Sequence, residues 1–284
     1  MTDAGVRKRL NAATLTALPG AIVRPAYDLE RIRIGIVHLG VGAFHRAHQA
    51  LYVDDLLADE PDWAICGVSL HGTSVRDALQ AQDGLYTLAL LDEPPRLRVI
   101  GSIRELLAAR EQPALVLERL ADPGVRLVTL TITEKGYCLA GDDLDLAHPE
   151  IAHDLASPDA PQSAIGYLVA GLRQRHRLGI APYTVLSCDN LADNGGRLRR
   201  AVLQFARRVD GDLAQWIEEQ VTFPRSMVDS ITPATDDALR ERVDLALGVV
   251  DAWPVQREPF SQWVIEDSFC NGRPALERAG ATMS

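Results

Sequence analysis

The chain has 284 residues, of which 47% are hydrophobic and 24% charged, and its formal net charge is −10 at pH 7. This length and apolar content predict a folded protein with a sizeable core and exclude a disordered one. The acidic balance argues against a nucleic-acid partner, because the arginine-rich segments 173–177 and 197–208 carry apolar residues at helical spacing, as solvated helix faces do.

Cysteine usage and the absence of targeting patterns favour the cytoplasm. The four cysteines are widely spaced and form no CxxC pair, which is typical of reduced thiols. No apolar run of the sequence reaches the length of a signal-peptide core or a membrane span. The sequence therefore predicts a cytoplasmic protein with no membrane partner.

Strand and helix patterns alternate along most of the chain. Residues 1–30 are interpreted as an N-terminal extension, because Pro19, Gly20 and Pro25 interrupt any helix before the first strand pattern. Apolar, β-branched runs recur at residues 32–39, 63–70, 125–131 and 183–188. Helical patterns are clearest at residues 45–57, 165–178, 197–209 and 213–220. This alternation predicts an α/β fold with a parallel sheet flanked by helices.

The first strand pattern ends in a glycine-rich turn, Gly40-Val41-Gly42-Ala43-Phe44. Gly40 permits a tight turn out of the strand, and Gly42 lets backbone N–H groups approach a pyrophosphate at the start of the next helix. His45 stands where the third glycine of GxGxxG is usual, so the pattern alone is a weaker signal than the full fingerprint. The turn nonetheless indicates the phosphate-binding turn of a mononucleotide-binding fold.

These patterns suggest a division of the chain into three parts. After the extension, residues 31–222 are predicted to form a dinucleotide-binding domain, with runs at 85–91 and 97–103 adding a small β-hairpin. From residue 223 prolines become frequent, and residues 223–284 are interpreted as a connecting segment packed on that domain. Its aromatic anchors are predicted to be Trp253, Phe260 and Trp263.

Ligands of an open parallel sheet bind beyond the carboxyl ends of its strands. The second strand pattern is followed by His71 and small polar residues, with no Asp or Glu to bind an adenosine ribose, so strict NAD specificity is not indicated. Arg76 could meet a 2′-phosphate, although an exposed helix arginine is the commoner explanation.

Polar groups also follow the third and fourth strand patterns. Residues 131–137 supply Thr131, Glu134 and Lys135, and Lys135 is either a reactive base or, the more favoured interpretation, a solvated loop lysine. Asn190 could donate its amide N–H to a carbonyl or a developing alkoxide, or it could cap a turn, and the residue pattern leaves both open. His45 and His48 could face one way on a helix, but no third ligand follows at metal-site spacing, so no metal is predicted.

Several long motifs in this order give a specific resemblance. The segments GVGAFHRAHQA, TITEKGYC, SCDNL, FPRSMVDSITPAT and WPVQREPFSQWVIED resemble the polyol-specific long-chain dehydrogenases, which include mannitol 2-dehydrogenase and fructuronate reductase. The similarity covers nearly everything from residue 31 to 280. The motifs GVSL and TEKGY resemble the fructuronate reductase branch slightly more.

The resemblance implies a Rossmann-type domain that binds NAD(P), in an oxidoreductase that transfers hydride between nicotinamide and C2 of a sugar acid or polyol. Mannonate or fructuronate is the favoured substrate, with mannitol or fructose next; NAD is the implied cofactor, and NADP stays open. Asn190 and Asp229 match family active-site residues, although Ser230 replaces the arginine that usually follows the aspartate. The predicted cofactor-binding residues are Gly40, Gly42, Ala43, Phe44, His71, Thr131 and Glu134.

The family's general-base lysine belongs to a K-x4-N-x2-H motif on a helical C-terminal domain. The chain contains only Lys8 and Lys135, and neither begins that motif. We therefore expect a chain truncated before its catalytic lysine, inactive alone, and joined by a companion catalytic domain or by self-association through an exposed face. The alternative function is a non-catalytic NAD(P)-binding or partner-binding module.

Overall fold

The structure is a computed structural model that describes residues 8–284, so the first seven residues of the predicted N-terminal extension lie outside the described residues. In chain order, helices α1 to α11 are Ala12–Leu15, Ala43–Ala47, Gln49–Asp54, Ser74–Gln80, Pro113–Ala121, Thr133–Gly136, Pro149–Ala156, Ala164–Leu178, Asn194–Val209, Gly211–Gln220 and Asp237–Leu247. Strands β1 to β13 are Ile34–Leu39, Ala64–Ser69, Tyr86–Leu90, Arg96–Ile100, Ile103–Ala108, Leu127–Leu130, Leu139–Ala140, Asp143–Leu144, Thr184–Ser187, Ser226–Asp229, Val255–Arg257, Gln262–Ile265 and Thr282–Met283.

The central sheet has five parallel strands in the order β5-β2-β1-β6-β9. The chain builds outward from β1 through β2 to β5, then crosses back to add β6 and β9 on the other side. The predicted Rossmann-type fold is therefore confirmed, with the strand order reversing beside β1. A crevice for a ligand is expected at this reversal, beyond the carboxyl ends of the strands.

Two apolar layers sandwich the sheet. One contains buried residues of α5, α8, α9 and α10, and the other contains those of α2 and α3. Because both faces of the sheet are covered, β1, β2, β6 and β9 consist almost entirely of buried residues, as strands of parallel sheets do. Their continuous apolar runs made these four strands predictable.

Two central elements differ from the sequence-based expectation. β5 was not predicted, because Arg104 and Glu105 interrupt its apolar run; as the edge strand it tolerates them, and Glu105 accepts a hydrogen bond from Arg119 at 2.7 Å. The helix predicted at 45–57 is instead α2 and α3, which meet at His48 with φ −117° and ψ −89°.

The predicted hairpin is present and is extended by a later segment. β3 and β4 pair antiparallel, and β11 pairs parallel with β3 on the other side. A second small sheet has the order β10-β12-β13.

The segment after residue 222 contributes to the core as well as connecting elements. Trp263 is 2% exposed and packs among buried residues of α3 and β2, whereas Phe260 is 54% exposed, so the prediction that Phe260 is an anchor is wrong. Phe260 lies outside β12, whose period-two alternation buries Trp263 and Ile265.

Candidate functional site

A cleft of about 300 Å³ opens at the carboxyl ends of β1, β2 and β6, beside the reversal of strand order. Its lining residues come from the glycine turn after β1, the segment from the end of β2 to the start of α4, and the segment from the end of β6 through α6. They are Gly40, Val41, Gly42, Ser69, Leu70, His71, Gly72, Ser74, Val75, Thr131, Ile132, Thr133 and Gly136. The cleft lies where a doubly wound sheet binds its ligand.

The two glycines of the turn have different structural requirements. Gly40 has φ +99°, and a Cβ there would lie 2.2 Å from the Thr131 carbonyl oxygen, so only glycine fits. At Gly42 a Cβ would meet only the Gly40 carbonyl oxygen, at 3.9 Å, and would project into open space. Gly42 thus keeps the cleft open at the start of α2, where a pyrophosphate could approach the backbone.

The buried side chain of His38 contacts both this turn and β6. His38 Nδ1 lies 2.8 Å from Thr129 Oγ1, while Nε2 lies 2.9 Å from Thr131 Oγ1 and 3.1 Å from the Gly40 carbonyl oxygen. Burial lowers the pKa of His38 to about 3, so its imidazole is neutral at physiological pH. His38 is thus a hydrogen-bonded core histidine that joins β1 to β6.

His45 in α2 and His48 directly after it also pack in the core. His45 stacks on His38 with ring centroids 3.4 Å apart, and burial lowers the pKa of His45 well below its ordinary value. His48 Nε2 lies 3.0 Å from the Gln262 carbonyl oxygen, and burial lowers its pKa to about 4. Because the helix breaks at His48, the two rings have different partners and share no metal-binding face.

The loop after β6 is held by a carboxylate that follows β9. Asp189 accepts hydrogen bonds from the backbone N–H groups of Ile132 and Thr133, each at 3.0 Å, and from the Tyr137 hydroxyl at 2.7 Å. Thr133 has φ +63°, an unfavourable conformation for a β-branched residue. We infer that Asp189 stabilises the strained loop that forms one wall of the cleft.

Asn194 joins the end of β9 to β10. Its Nδ2 donates to the carbonyl oxygens of Ser187, Asp189 and Ser226 at 3.3, 3.1 and 2.8 Å, and Ser226 Oγ donates to the Ser187 carbonyl at 2.5 Å. Asp229 ends β10 three residues beyond Ser226, about 10 Å along an extended strand.

Four of the predicted cofactor-binding residues line the cleft, namely Gly40, Gly42, His71 and Thr131. The other three lie beside it: Ala43 and Phe44 begin α2, and Glu134 is exposed on α6 between lining residues. Both predicted catalytic residues, Asn190 and Asp229, are exposed, and Asn190 directly follows the Asp189 carboxylate that holds the cleft wall.

One arginine at the edge of this region was not found from the sequence. Arg110 follows β5, and its Nη2 lies 3.3 Å from His71 Nδ1. Because β5 itself was not predicted, no signal placed Arg110 at the carboxyl edge of the sheet. The predicted alternative, Arg76, donates hydrogen bonds to Asp77 and Glu111 and does not line the cleft.

A separate group of potential metal ligands comprises Cys138, His148 and Glu150, whose donor atoms lie within 4.8 Å of one another. Burial and then the nearby Glu150 carboxylate raise the pKa of the Cys138 thiol to about 12. The thiol is therefore protonated at neutral pH, whereas the thiolate is the metal ligand. The sequence-based expectation of no metal stays a prediction.

The doubly wound sheet, the glycine turn and the cleft at the strand-order reversal define a protein of the Rossmann dinucleotide-binding class. A family model described as the mannitol dehydrogenase Rossmann domain matches residues 34–278. The chain belongs to the mannitol dehydrogenase family.

Several relatives are similar over almost the whole chain. Mannitol 2-dehydrogenase of Phaeosphaeria nodorum is 45% identical over 96% of this chain and 49% of its own length. Polyol:NADP oxidoreductase of Gluconobacter oxydans is 43% identical over 95% of this chain and 57% of its own. The chain thus spans about half the length of the curated relatives it matches.

Solved structures agree with the fold. Pseudomonas fluorescens mannitol 2-dehydrogenase, in a ternary complex with NAD and D-mannitol, superposes with a TM-score of 0.94 and 45% identity over 97% of this chain and 58% of that one. A substrate-free D-sorbitol dehydrogenase gives a TM-score of 0.93 and 42% identity over the same shares. Within residues 8–284, no helix is both long and apolar enough to cross a membrane.

Proposed function

We propose that this chain is the nucleotide-binding half of a cytoplasmic NAD(P)-dependent dehydrogenase acting at C2 of a sugar acid or polyol. The single observation that carries the proposal is the cleft at the carboxyl ends of β1, β2 and β6, with Gly40 and Gly42 forming its turn. An open, side-chain-free approach to backbone N–H groups at the start of a helix suits a pyrophosphate. Family membership supports the same reading.

The residues around the cleft fit a dinucleotide. In the proposal, the backbone N–H groups of Ala43 and Phe44 would contact the pyrophosphate, and Gly42, whose own N–H donates to the Gly40 carbonyl at 2.7 Å, would leave room for it. His71 would lie towards the adenosine ribose, and Thr131 and Glu134 towards the nicotinamide. When bound, the nicotinamide accepts or supplies the hydride. The relatives leave the nucleotide open, because one is solved with NAD and another is named for NADP.

Asn190 and Asp229 are proposed to act on the substrate. The exposed amide of Asn190, beside the cleft wall, would donate a hydrogen bond to the oxygen on C2 as its charge develops. Asp229 would contact the substrate or orient a proton-transfer group from β10. For the substrate itself, the GVSL and TEKGY motifs favour mannonate or fructuronate, while the relatives named as mannitol 2-dehydrogenases support mannitol.

The general base is proposed to come from outside these 284 residues. Of the two lysines, Lys135 is exposed on α6 and neither begins a K-x4-N-x2-H pattern. Met227, Ile231 and Phe260 are exposed apolar residues near Asp229, and they suit a surface covered by a companion catalytic domain or a second copy. Without a positioned base, catalysis falls by about 10²–10⁴-fold, so we expect negligible turnover from this chain alone.

Calorimetric titration of the 284-residue chain with NAD and NADP, followed by turnover assays on mannonate and mannitol, tests the proposal. One nucleotide bound per chain without turnover would support it. Measurable turnover would contradict the assignment of the base to another segment and would direct attention to Lys135. The absence of binding to either nucleotide would contradict the nucleotide-binding role, and binding of an unrelated protein partner would favour the non-catalytic module.

A further inference from the structure

The ribose end of the cleft lacks the group that usually selects NAD. NAD sites of this fold place an Asp or Glu after the second strand, where its carboxylate accepts hydrogen bonds from the ribose hydroxyls. Among the described residues that line this cleft there is no carboxylate; the end of β2, the turn after it and the start of α4 contribute Ser69, His71 and Ser74 instead. These side chains can donate hydrogen bonds to an anion.

A cation reaches the same edge from the neighbouring strand. The Ala109 N–H donates to the Ser69 carbonyl at 2.9 Å, which fixes the end of β5 beside the end of β2. Arg110 comes next, and its Nη2 lies 3.3 Å from His71 Nδ1, an atom of a residue that lines the cleft. The side chains of Arg110 and His71 are 62% and 56% exposed, so both can turn towards a ligand.

Glu150 lies beside this pair. Its Oε1 lies 3.7 Å from Arg110 Nη2 and 3.7 Å from His71 Nδ1. These contacts are longer than hydrogen bonds, so Glu150 accepts no hydrogen bond from either of these atoms. A phosphate with tighter, charge-assisted hydrogen bonds would compete well for them.

We propose that this site binds NADP in preference to NAD, with the 2′-phosphate held by Arg110 and His71 and hydrogen-bonded by the hydroxyls of Ser69 and Ser74. The inference rests on the proposed nucleotide-binding function and adds its specificity. A planar guanidinium matches phosphate geometry bidentately, and NAD offers this group only a neutral hydroxyl.

Arg76 cannot fill this role as it is placed. Its Nη1 donates to Glu111 at 2.7 Å and its Nη2 to Asp77 at 2.7 Å, so two carboxylates occupy its guanidinium. Those hydrogen bonds raise the pKa of Arg76 above its ordinary value. Arg76 is therefore a matched control: a second arginine, hydrogen-bonded to the residue that follows Arg110, that should not affect nucleotide choice.

The test is titration of the full chain and of the variants Arg110→Gln and Arg76→Gln with NADP and NAD at one fixed salt concentration. The chain should bind NADP at least about 10-fold more tightly than NAD, because one charge-assisted phosphate contact contributes about that factor. Arg110→Gln should lose about 10-fold in NADP affinity with NAD affinity unchanged, and Arg76→Gln should change neither.

A converse variant keeps the inference testable if Arg110→Gln disturbs the fold. Ser69→Asp should repel the 2′-phosphate and supply a ribose acceptor, so the preference should shift towards NAD. Tighter binding of NAD than NADP by the unmodified chain would overturn the specificity and leave the proposed function intact. Equal loss of NADP affinity in Arg110→Gln and Arg76→Gln would also overturn the proposed specificity. Binding of neither nucleotide would instead contradict the proposed function.

Discussion

At the scale of single residues, the two glycines of the turn are needed for different reasons: Gly40 for folding and Gly42 for binding. Gly40 must be glycine because of its φ of +99° and the Thr131 carbonyl oxygen 2.2 Å from an added Cβ. Gly42 has φ −90° and ψ −176°, which any residue adopts, and open space above it. The same amino acid therefore serves two purposes within three positions.

We predict that Gly40→Ala and Gly42→Ala fail in different assays. Gly40→Ala should lower the free energy of unfolding by at least about 1–2 kcal/mol from the left-handed conformation alone, with the overlap at Thr131 adding to it. Gly42→Ala should unfold at nearly the same denaturant concentration as the parent but bind nucleotide about 10-fold more weakly, because its methyl group enters the cleft. Denaturant unfolding and calorimetry measure the two effects; similar stability of both variants would contradict the distinction.

His38 gives a pH-dependent prediction. The folded protein keeps this imidazole neutral down to about pH 3, whereas the unfolded chain protonates it near its ordinary pKa of 6.5. The unfolded state thus binds more protons between these values, so the free energy of unfolding falls as pH falls through this range. Above about pH 7 the contribution of His38 no longer varies with pH.

We therefore expect His38→Gln to flatten the acid side of the stability profile. Between about pH 6 and pH 4 the parent should lose up to about 1.4 kcal/mol per pH unit more than the variant, because glutamine does not titrate. Urea unfolding at several pH values measures this difference. Parallel profiles for parent and variant would mean that His38 takes up its proton in the folded protein as readily as in the unfolded chain, which would contradict this account.

At the scale of elements, the site depends on a connection between the ends of β6 and β9. Asp189, which follows β9, accepts two backbone N–H groups of the loop after β6 and the Tyr137 hydroxyl. Removing the charge leaves three donors around a poorer acceptor, and Thr133 loses the contacts that hold its unfavourable φ.

Asp189→Asn should consequently lower the free energy of unfolding by about 1–3 kcal/mol and weaken nucleotide binding. Tyr137→Phe is the matched variant, since it removes one of the three hydrogen bonds and leaves both backbone contacts, so its effect on binding should be smaller. Calorimetric titration of both variants measures which of them loses more nucleotide affinity. Stronger loss of affinity in Tyr137→Phe would assign the role to the hydroxyl and contradict the account of the loop.

The same scale shows what could be predicted from the sequence. The four central strands and the helices 164–178 and 194–209 follow from long apolar runs and regular helical spacing, and the glycine turn located the cleft. β5 was not predicted because an edge strand accepts charged residues, and the position of Arg110, which follows β5, was therefore not predicted either. At the helix break, His48 contacts the carbonyl oxygen of Gln262, a partner 214 residues away that no local pattern encodes.

At the scale of the whole molecule, the last sixty residues are integral to the core. Val255 pairs with Leu88 in the hairpin sheet, and Trp263, Ile265 and Leu276 are buried against the layer that contains α3. The domain division at residue 222 therefore remains a proposal about function, and the packing predicts that the two parts fold together.

A chain that ends at residue 222 should accordingly be unfolded or aggregated at 25 °C. Burying each large apolar side chain contributes about 1.5–3 kcal/mol, so losing several of them removes an amount comparable to the whole stability of a domain. Circular dichroism and sedimentation would compare it with the 284-residue chain. A monomeric 1–222 fragment with the same melting temperature would contradict this prediction.

The most direct test of the central claim is amide hydrogen exchange on the 284-residue chain, with and without saturating NADP. We predict slower exchange at residues 40–46, 69–76 and 131–136, the three segments that form the cleft, with little change in β10 and α11. Protection confined to other segments, or no protection although NADP binds, would contradict the placement of the nucleotide at the strand-order reversal.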